Sequence, residues 1–328
     1  MEIVIKLNNE FVILISGPTA TGKSDFALEL GKTLPIEIVN ADIGSFYKEL
    51  TIGTAKPDWE NQTVHHHFFD VIDDTNSWTA PRFREELKQL IPEIWSRGNI
   101  PVIVGGSAFY IQSFFYNTHD LVSPTQDLMQ SLEEQPHQDL WQQLHDVDPE
   151  RAEKISPMDK YRVVRALAIW HTQGKKPSDF QQVFNPLTPF HFITLTRDRD
   201  QLYEMIDQRV LTMIDSGWLD EVRGLVDDSD WVNFLLNKKM IGYDLLAGYL
   251  MGDLSELDFS EIVSLIQQRT RNYAKRQLTF LKKLSKNIQF DCKKISIEKF
   301  EVEECNLTLC DLSLYIKQLS ERISLFLK

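Results

Sequence analysis

The chain has 328 residues, 42% hydrophobic and 25% charged, a balance that fits one large soluble domain or two unequal ones. A formal net charge of −13 excludes non-specific coating of nucleic acid, but not a local basic groove. No apolar run approaches a membrane span, and the start, Met1-Glu2-Ile3-Val4-Ile5-Lys6, is unlike a secretion signal. The three cysteines, Cys292, Cys305 and Cys310, form neither a zinc pattern nor a disulfide framework. A reducing, cytoplasmic location with no membrane partner is expected.

Phe11-Val12-Ile13-Leu14-Ile15 predicts a buried strand, and Asp25 to Lys32 predicts a helix. Between them lies Gly17-Pro18-Thr19-Ala20-Thr21-Gly22-Lys23-Ser24, a complete phosphate-binding loop in the strand–turn–helix context that the motif needs. Its backbone N–H groups would converge on phosphate oxygens at a helix N-terminus. Lys23 would reach the terminal phosphates, and the Ser24 hydroxyl would sit on Mg2+. The motif states that phosphate is bound, not which compound carries it.

Ile36 to Asn40 predicts a second strand, with Asp42 just past its carboxyl end, where ligand crevices of parallel sheets lie. Asp42 is therefore placed as a base or hydrogen-bond acceptor near the phosphates. Tyr47-Lys48 and Ile52-Gly53-Thr54-Ala55-Lys56-Pro57 follow, adding a lysine and a hydroxyl. His65-His66-His67 is read as structural, because adjacent side chains on an extended segment point to alternate faces. Thr79 caps a predicted helix that has Pro81 in its first turn and runs to about Arg97. Ile100 to Val104 predicts another buried strand, ending in Gly105-Gly106-Ser107 where a metabolite kinase would place a magnesium-holding acid. A further helix is predicted through Phe109, Tyr110, Gln112 and Phe115.

The alternation of strand and helix predicts an α/β fold: a parallel P-loop NTPase-like sheet core with covering helices. From about Asn117 to Pro189 the pattern turns helical and polar, with helices expected at 126–134, 140–147 and 160–172. Phe190 to Leu195 then returns as a strand, so 118–189 reads as a helical insertion into a discontinuous core of 1–117 and 190–290. C-terminal helices are expected at 200–216, 241–251 and 259–286. The last carries Arg269, Arg271, Lys275, Arg276, Lys282, Lys283 and Lys286 with no acid after Ser264, a basic stripe on an acidic protein. Residues 291–328 are expected to be a tail holding a weak strand and a short helix.

These landmarks together resemble the tRNA dimethylallyltransferase family, from the start of the chain through about Lys282. The resemblance rests on the phosphate loop, Asp42 with Tyr47-Lys48, the Ile52–Pro57 run, His66-His67, and Gly105-Gly106-Ser107 with Tyr110. It rests further on Arg162-Val163-Val164-Arg165-Ala166-Leu167, Ile241-Gly242-Tyr243, and above all Thr270-Arg271-Asn272-Tyr273-Ala274-Lys275-Arg276-Gln277.

The resemblance implies that dimethylallyl diphosphate occupies the loop, held by Gly17 to Ser24 and Lys56, with Mg2+ on Ser24. It implies a tRNA anticodon stem-loop as acceptor, the adenine N6 attacking C1 of the prenyl group. Asp42 would take the proton. Lys23 would stabilise the departing diphosphate, and Ser107 would contact the base. The tRNA would be bound by Asp42, Ile43, Gly44, Ser45, Ser107, Met129, Tyr161, Arg162, Val163, Val164, Arg165, Lys239, Arg271, Lys275, Arg276 and Gln277. The insertion would clamp the anticodon stem, and a monomer is expected. Departures from the family pattern are Ile43 for the usual serine and Ser107 for threonine. Near Met129 an arginine is common, Lys239 replaces residues usual before Ile-Gly-Tyr, and Phe280 and Lys282 replace tryptophan and arginine. Adenylate prenylation, phosphoryl transfer of the metabolite-kinase type, and RNA binding without chemistry are the competing readings.

Overall fold

The computed structural model of the chain describes residues 10–117, 124–180, 182–238, 240–295 and 300–326. The core begins with β1 (Val12–Ser16), the phosphate loop, α1 (Lys23–Gly31) and β2 (Ile36–Asn40). After a 3-10 turn at Ile43–Phe46 come β3 (His66–His67), α2 (Ala80–Ser96), β4 (Ile100–Gly105) and α3 (Ala108–Phe115). The middle of the chain forms β5 (Tyr116–Asn117), α4 (Gln126–Glu133), α5 (His137–Val147), α6 (Pro149–Glu153), α7 (Lys160–Gln173) and β6 (Val183–Phe184). The core resumes with β7 (Phe190–Thr196), α8 (Arg199–Asp215), α9 (Trp218–Leu225), α10 (Ser229–Lys238), α11 (Tyr243–Met251), α12 (Phe259–Ile295), β8 (Phe300–Asn306) and α13 (Leu312–Phe326).

Among the described residues the main sheet is parallel throughout, in the order β3-β2-β4-β1-β7-β8. β1, β2, β4 and β7 are buried along their whole length. Helices cover both faces of such a sheet, which is why their sequences run apolar instead of alternating. The order places the carboxyl ends of β1, β4 and β2 side by side. The phosphate loop, Ser107 and Asp42 follow those three ends, at the edge where α/β sheets bind ligands. Thr79 caps α2 by accepting from the Arg82 N–H at 3.4 Å, as its position predicts.

Tyr116–Asn185 forms a separate compact unit. Its core is Leu140, Leu144, Ala152, Val163, Val164 and Leu167, contributed by α5, α6 and α7. A short antiparallel pair, β5 with β6, closes its two ends, with Tyr116 opposite Phe184.

The weak strand and short helix expected in the tail are β8 and α13, but they belong to the core instead of trailing from it. β8 pairs with β7 from Phe190↔Phe300 to Thr196↔Asn306, and Ile316, Leu319 and Ile323 of α13 join the core beside Phe26 and Leu30 of α1. The strand is a half-exposed edge carrying Glu301, Glu303 and Glu304, so its apolar signal is weak. Instead of apolar packing on that face, Glu303 lies 2.6 Å from His191 of β7 and accepts from Arg322 of α13 at 2.9 Å. Burial alone would raise the Glu303 carboxyl, but these partners bring its pKa down to about 2. α12 also runs past the expected end, to Ile295, with Ile288 and Cys292 buried along the extension. No helix among the described residues is long and apolar enough to cross a membrane.

Candidate active site

The loop from Gly17 to Ser24 wraps the N-terminus of α1, and its shape is held from inside and outside. Thr21 is fully buried, its hydroxyl donating to Pro18 O at 2.8 Å. Ala20 takes φ 62°, a left-handed conformation costly for a residue with a Cβ. That strain is offset by packing, since Ala20 shares a core cluster with Leu202 and Ile206 of α8 and Ala274 of α12. Gln277 of α12 completes the frame: its Oε1 accepts from Thr19 N at 2.9 Å, and its Nε2 donates to Gly106 O at 2.8 Å. Gln277 is 4% exposed, so the expectation that it touches RNA is corrected. It ties the phosphate loop to the end of β4.

Three cations ring the loop. Lys23 Nζ donates to Pro18 O at 2.8 Å. Burial lowers its pKa to about 8, with Arg209 adding to the fall and Asp42 opposing it. Arg209 of α8 donates to Thr19 Oγ1 at 3.4 Å, and burial lowers its pKa against the pull of Asp42 and Asp25. Arg197, between β7 and α8, donates to Thr21 O at 3.2 Å. Neither arginine belongs to a local motif. Arg209 lies within α8 and Arg197 just before it, and only the folded chain brings them to the loop.

A cleft of about 430 Å³ opens over the loop, lined by Thr19, Ala20, Gly22, Lys23, Ser24, Asp25, Asn40, Asp42, Ser45 and Arg209 among others. A second cavity of about 300 Å³ adjoins it and is apolar, with Ile43, Ile206, Val210, Met213, Trp218, Met240 and Tyr273 in its wall. Thr19, Ala20, Asp42, Thr54 and Arg209 line both, so a carboxylate and a guanidinium stand at the seam. Asp42 is fixed there by its own turn. Its N–H donates to Asn40 Oδ1 at 2.9 Å, and its Oδ1 accepts from Gly44 N at 3.3 Å. Asn40 in turn donates to Asp42 O and to Phe68 O, so the end of β2 cannot swing.

The apolar cavity is built around Trp218. A Cβ on Gly53 would lie 2.0 Å from its Nε1, and one on Gly242, at φ +88°, would lie 2.1 Å from its Cη2. The indole is thus clasped between two backbones that must carry no side chain. Glu221, one turn along α9, accepts from the N–H groups of Thr51, Ile52 and Gly53 at 3.0, 2.7 and 3.2 Å and from the Tyr243 hydroxyl at 2.6 Å. Trp218 and Glu221 together hold the Ile52–Pro57 run in place, a role that no spacing in the sequence marks.

Several expected site residues lie elsewhere. Lys56 lines neither cavity: its ammonium donates to Tyr47 O at 2.7 Å and Lys48 O at 3.2 Å and pairs with Asp70. Ser107 lines neither cavity and is 7% exposed, its hydroxyl accepting from Ile43 N at 3.0 Å. It positions the residue after Asp42. Gly44 and Ile43 both line the apolar cavity.

In the helical unit Val163 and Val164 are fully buried, which removes them from any binding surface. Met129 packs against the same core. Tyr161 and Arg165 are exposed on α7, and Arg162 pairs with Asp159 at 3.0 Å. Arg271 pairs with Asp207 of α8, and Arg269 with Asp244 of α11 at 2.6 Å, so acids from other helices partly neutralise the basic stripe. Lys275 and Arg276 are exposed and form no ion pair among the described residues. Lys239 lies outside the described residues. His66 Nδ1 lies 2.7 Å from Val64 O, and His67 Nε2 lies 2.6 Å from Glu37 Oε2, both structural contacts. Glu37 could converge on an ion with His65 and His67, but Arg97 and Asn99 already hold it.

A family model described as IPP transferase matches residues 45–284. The chain is 36% identical to the tRNA dimethylallyltransferase of Fervidobacterium nodosum over 85% of its length and 90% of that protein. It is 38% identical to the tRNA dimethylallyltransferase of Bacillus subtilis, again over 85% and 90%. Among solved structures, the tRNA isopentenylpyrophosphate transferase of Bacillus halodurans superposes with TM-score 0.65 at 29% identity, over 98% of this chain and 97% of that one. A eukaryotic dimethylallyltransferase described as acting on tRNA superposes with TM-score 0.75 at 27% identity, over 95% and 77%.

Proposed function

The chain belongs to the IPP transferase family, and from that premise we propose that it transfers a dimethylallyl group from dimethylallyl diphosphate to N6 of the adenine 3′ of the tRNA anticodon. The product is N6-isopentenyladenosine, and diphosphate leaves. The observation that carries this reading is the pair of joined cavities, one over the phosphate loop with Lys23, Ser24 and Asp25 in its wall and one more apolar, with Asp42 and Arg209 at their seam. A prenyl diphosphate has the same two-part character.

The diphosphate lies over the loop N–H groups, and Lys23 and Arg209 face the negative charge that grows as the C1–O bond breaks. Fixed cations aimed at developing charge are worth more in a water-poor site than in solution. The prenyl chain occupies the apolar cavity between Met213, Trp218 and Ile43. The adenine N6 approaches C1 from the seam and donates a hydrogen bond to Asp42, which takes the proton as the new C–N bond forms.

Ser24 and Asp25 offer hard oxygen donors at the first turn of α1, open to the polar cleft, and they suit Mg2+ together with substrate phosphate oxygens. Mg2+ bound there would supply further neutralisation of the diphosphate. The adenine must leave its stack to enter the cleft, at a cost of roughly a few kcal/mol. Contacts from Lys275 and Arg276 to the RNA backbone offset that cost and make binding salt-dependent. On the helical unit, Tyr161, Arg162 and Arg165 form the surface assigned to the anticodon stem. The exposed Arg162–Asp159 pair is of the kind worth about 0–1 kcal/mol, so a phosphate can displace it. One chain carries every group used, so a monomer suffices for the reaction.

Single-turnover prenylation tests the proposal. Protein, Mg2+, labelled dimethylallyl diphosphate and an anticodon stem-loop with adenine beside the anticodon are mixed, with AMP as a parallel acceptor. Label is expected in the stem-loop and not in AMP, and to be lost with Asp42→Ala. Label in AMP alone would replace tRNA by free nucleotide as acceptor, and stem-loop binding without label would leave an RNA-binding protein.

A further inference from the structure

Phe109, the second residue of α3, is 68% exposed although it stands two residues after Ser107. A single exposed phenylalanine is ordinary. This one is not single: its ring meets that of Phe280 from α12, centroids 5.4 Å apart at 66°. Phe280 is half-buried, so the pair presents one supported aromatic face to solvent. Its position is also fixed. Gln277, nearly one turn before Phe280 on α12, bonds to Gly106 O, nearly one turn before Phe109. The contact between α3 and α12 is therefore locked at the end of β4.

Along α12 the cleft leads to this pair. Arg276 lines the apolar cavity, and Phe280 and Lys283 follow at successive turns of the same side. Arg276, Lys282 and Lys283 are exposed and carry no ion pair among the described residues. An aromatic face between cations, spaced by about one helical turn (5.4 Å), matches how single-stranded nucleic acid is held: phosphates on the cations, bases on the rings.

We propose that Phe109, supported by Phe280, is a stacking platform for an unpaired RNA base that neighbours the adenine entering the cleft. Drawing the adenine out of the loop removes the stacking partner of its neighbour, and Phe109 replaces it. The recognition is of a base face, without sequence preference from hydrogen bonds. The inference rests on RNA being the acceptor, and the experiment separates the two.

The full chain is titrated with an anticodon stem-loop carrying 2-aminopurine next to the target adenine. Affinity, 2-aminopurine fluorescence and prenylation are followed together. Phe109→Ala is expected to weaken stem-loop binding about 10- to 100-fold and to brighten the bound 2-aminopurine. Phe109→Tyr is expected to restore both. Phe290→Ala, which removes another phenylalanine that is 68% exposed on α12, is expected to change neither. Affinity for inorganic diphosphate should be the same in all four proteins, which shows that the cleft is intact. Unchanged stem-loop affinity in Phe109→Ala, with wild-type prenylation present, would overturn the platform and leave the RNA reading standing. Weaker binding with no change in fluorescence would make Phe109 a contact without stacking, which also overturns it. A wild-type protein that neither binds nor prenylates the stem-loop would overturn both. If Phe109→Ala abolished a self-association seen in the wild type, the face would belong to a second copy instead.

Discussion

The two cavities differ in how the chain builds them. The one over the phosphate loop takes its charged and polar groups largely from one run, Thr19 to Asp25, and from Asp42 after β2, while β2, β4, the Thr54–Pro57 stretch and α8 supply the rest of its wall. The apolar one draws on Thr19 and Ala20, the turn at Ile43, the run at Gly53, α8, α9, the Met240–Tyr243 stretch and α12, elements scattered along most of the chain. Phosphate is recognised by a backbone shape that few sequences can form. A prenyl group is recognised only by the absence of water and the right volume, which many combinations of side chains provide. The first kind of site leaves a signature in sequence and the second does not.

Four measurements would break or sharpen that contrast. The largest effect is expected at the seam: Asp42→Asn should lower the single-turnover rate about 10²–10⁴-fold while inorganic diphosphate still binds. A comparable loss of diphosphate affinity would mean that Asp42 serves the polar cavity alone. Next, Arg209→Gln should slow transfer about 10²–10³-fold, as removal of one charge-stabilising donor does elsewhere. Third, Met213→Ala should raise KM for dimethylallyl diphosphate about tenfold without altering inhibition by inorganic diphosphate. Lys23→Gln should weaken inhibition by inorganic diphosphate and raise KM for the donor together, because the donor carries the same diphosphate, and matching inhibition profiles for the two variants would deny that the cavities have separate tasks.

The smallest effect is on pH dependence. Lys23, with its pKa lowered from 10.5 to about 8, carries the charge that an anion needs only below that value. Diphosphate affinity should be level below about pH 8 and fall by up to tenfold per unit above it. Lys23→Gln serves as the control for ionisation of the ligand itself. Stability of the free protein should move the other way. Between about pH 8 and 10.5 the unfolded chain keeps the Lys23 proton that the folded chain has lost, so folding gains from rising pH there. Chemical denaturation of wild type and Lys23→Gln across that window measures the difference.

The same contrast governs what could be read from the residues. The strands of the core, the capped helix at Thr79 and the phosphate loop are legible because each is specified by neighbours in sequence. Asp42 is legible because it follows a strand. β8 is legible only as a weak strand, not as a member of the sheet, because the alternation of Phe300 to Glu303 is short and its three glutamates satisfy their partners by charge, through His191 and Arg322. Arg209 and Glu221 are invisible for another reason: each looks like a surface residue of an amphipathic helix until the tertiary fold turns it inward. Lys56 and Ser107 show the opposite error, since their motif is real but their side chains are spent on the backbone of neighbouring segments. Val163 and Val164 sit within a basic run, yet the helix turns them into the core of the helical unit.

Gln277 carries a consequence in time. It grips Thr19 across 258 residues of sequence and Gly106 across 171. The phosphate loop emerges early in synthesis, but its frame closes only when α12 has been made. At roughly 5–20 residues per second, that delay is about 10–50 s. During this interval a nascent chain would hold the whole phosphate motif without the clasp that shapes it. A fragment ending at Phe115 is accordingly expected to show no measurable affinity for inorganic diphosphate by calorimetry, and tight binding by it would show that the loop sets its own shape. Nucleotides and diphosphates abundant in the cell would then meet a receptive loop only on a finished enzyme, so the order of synthesis guards the site against premature occupancy.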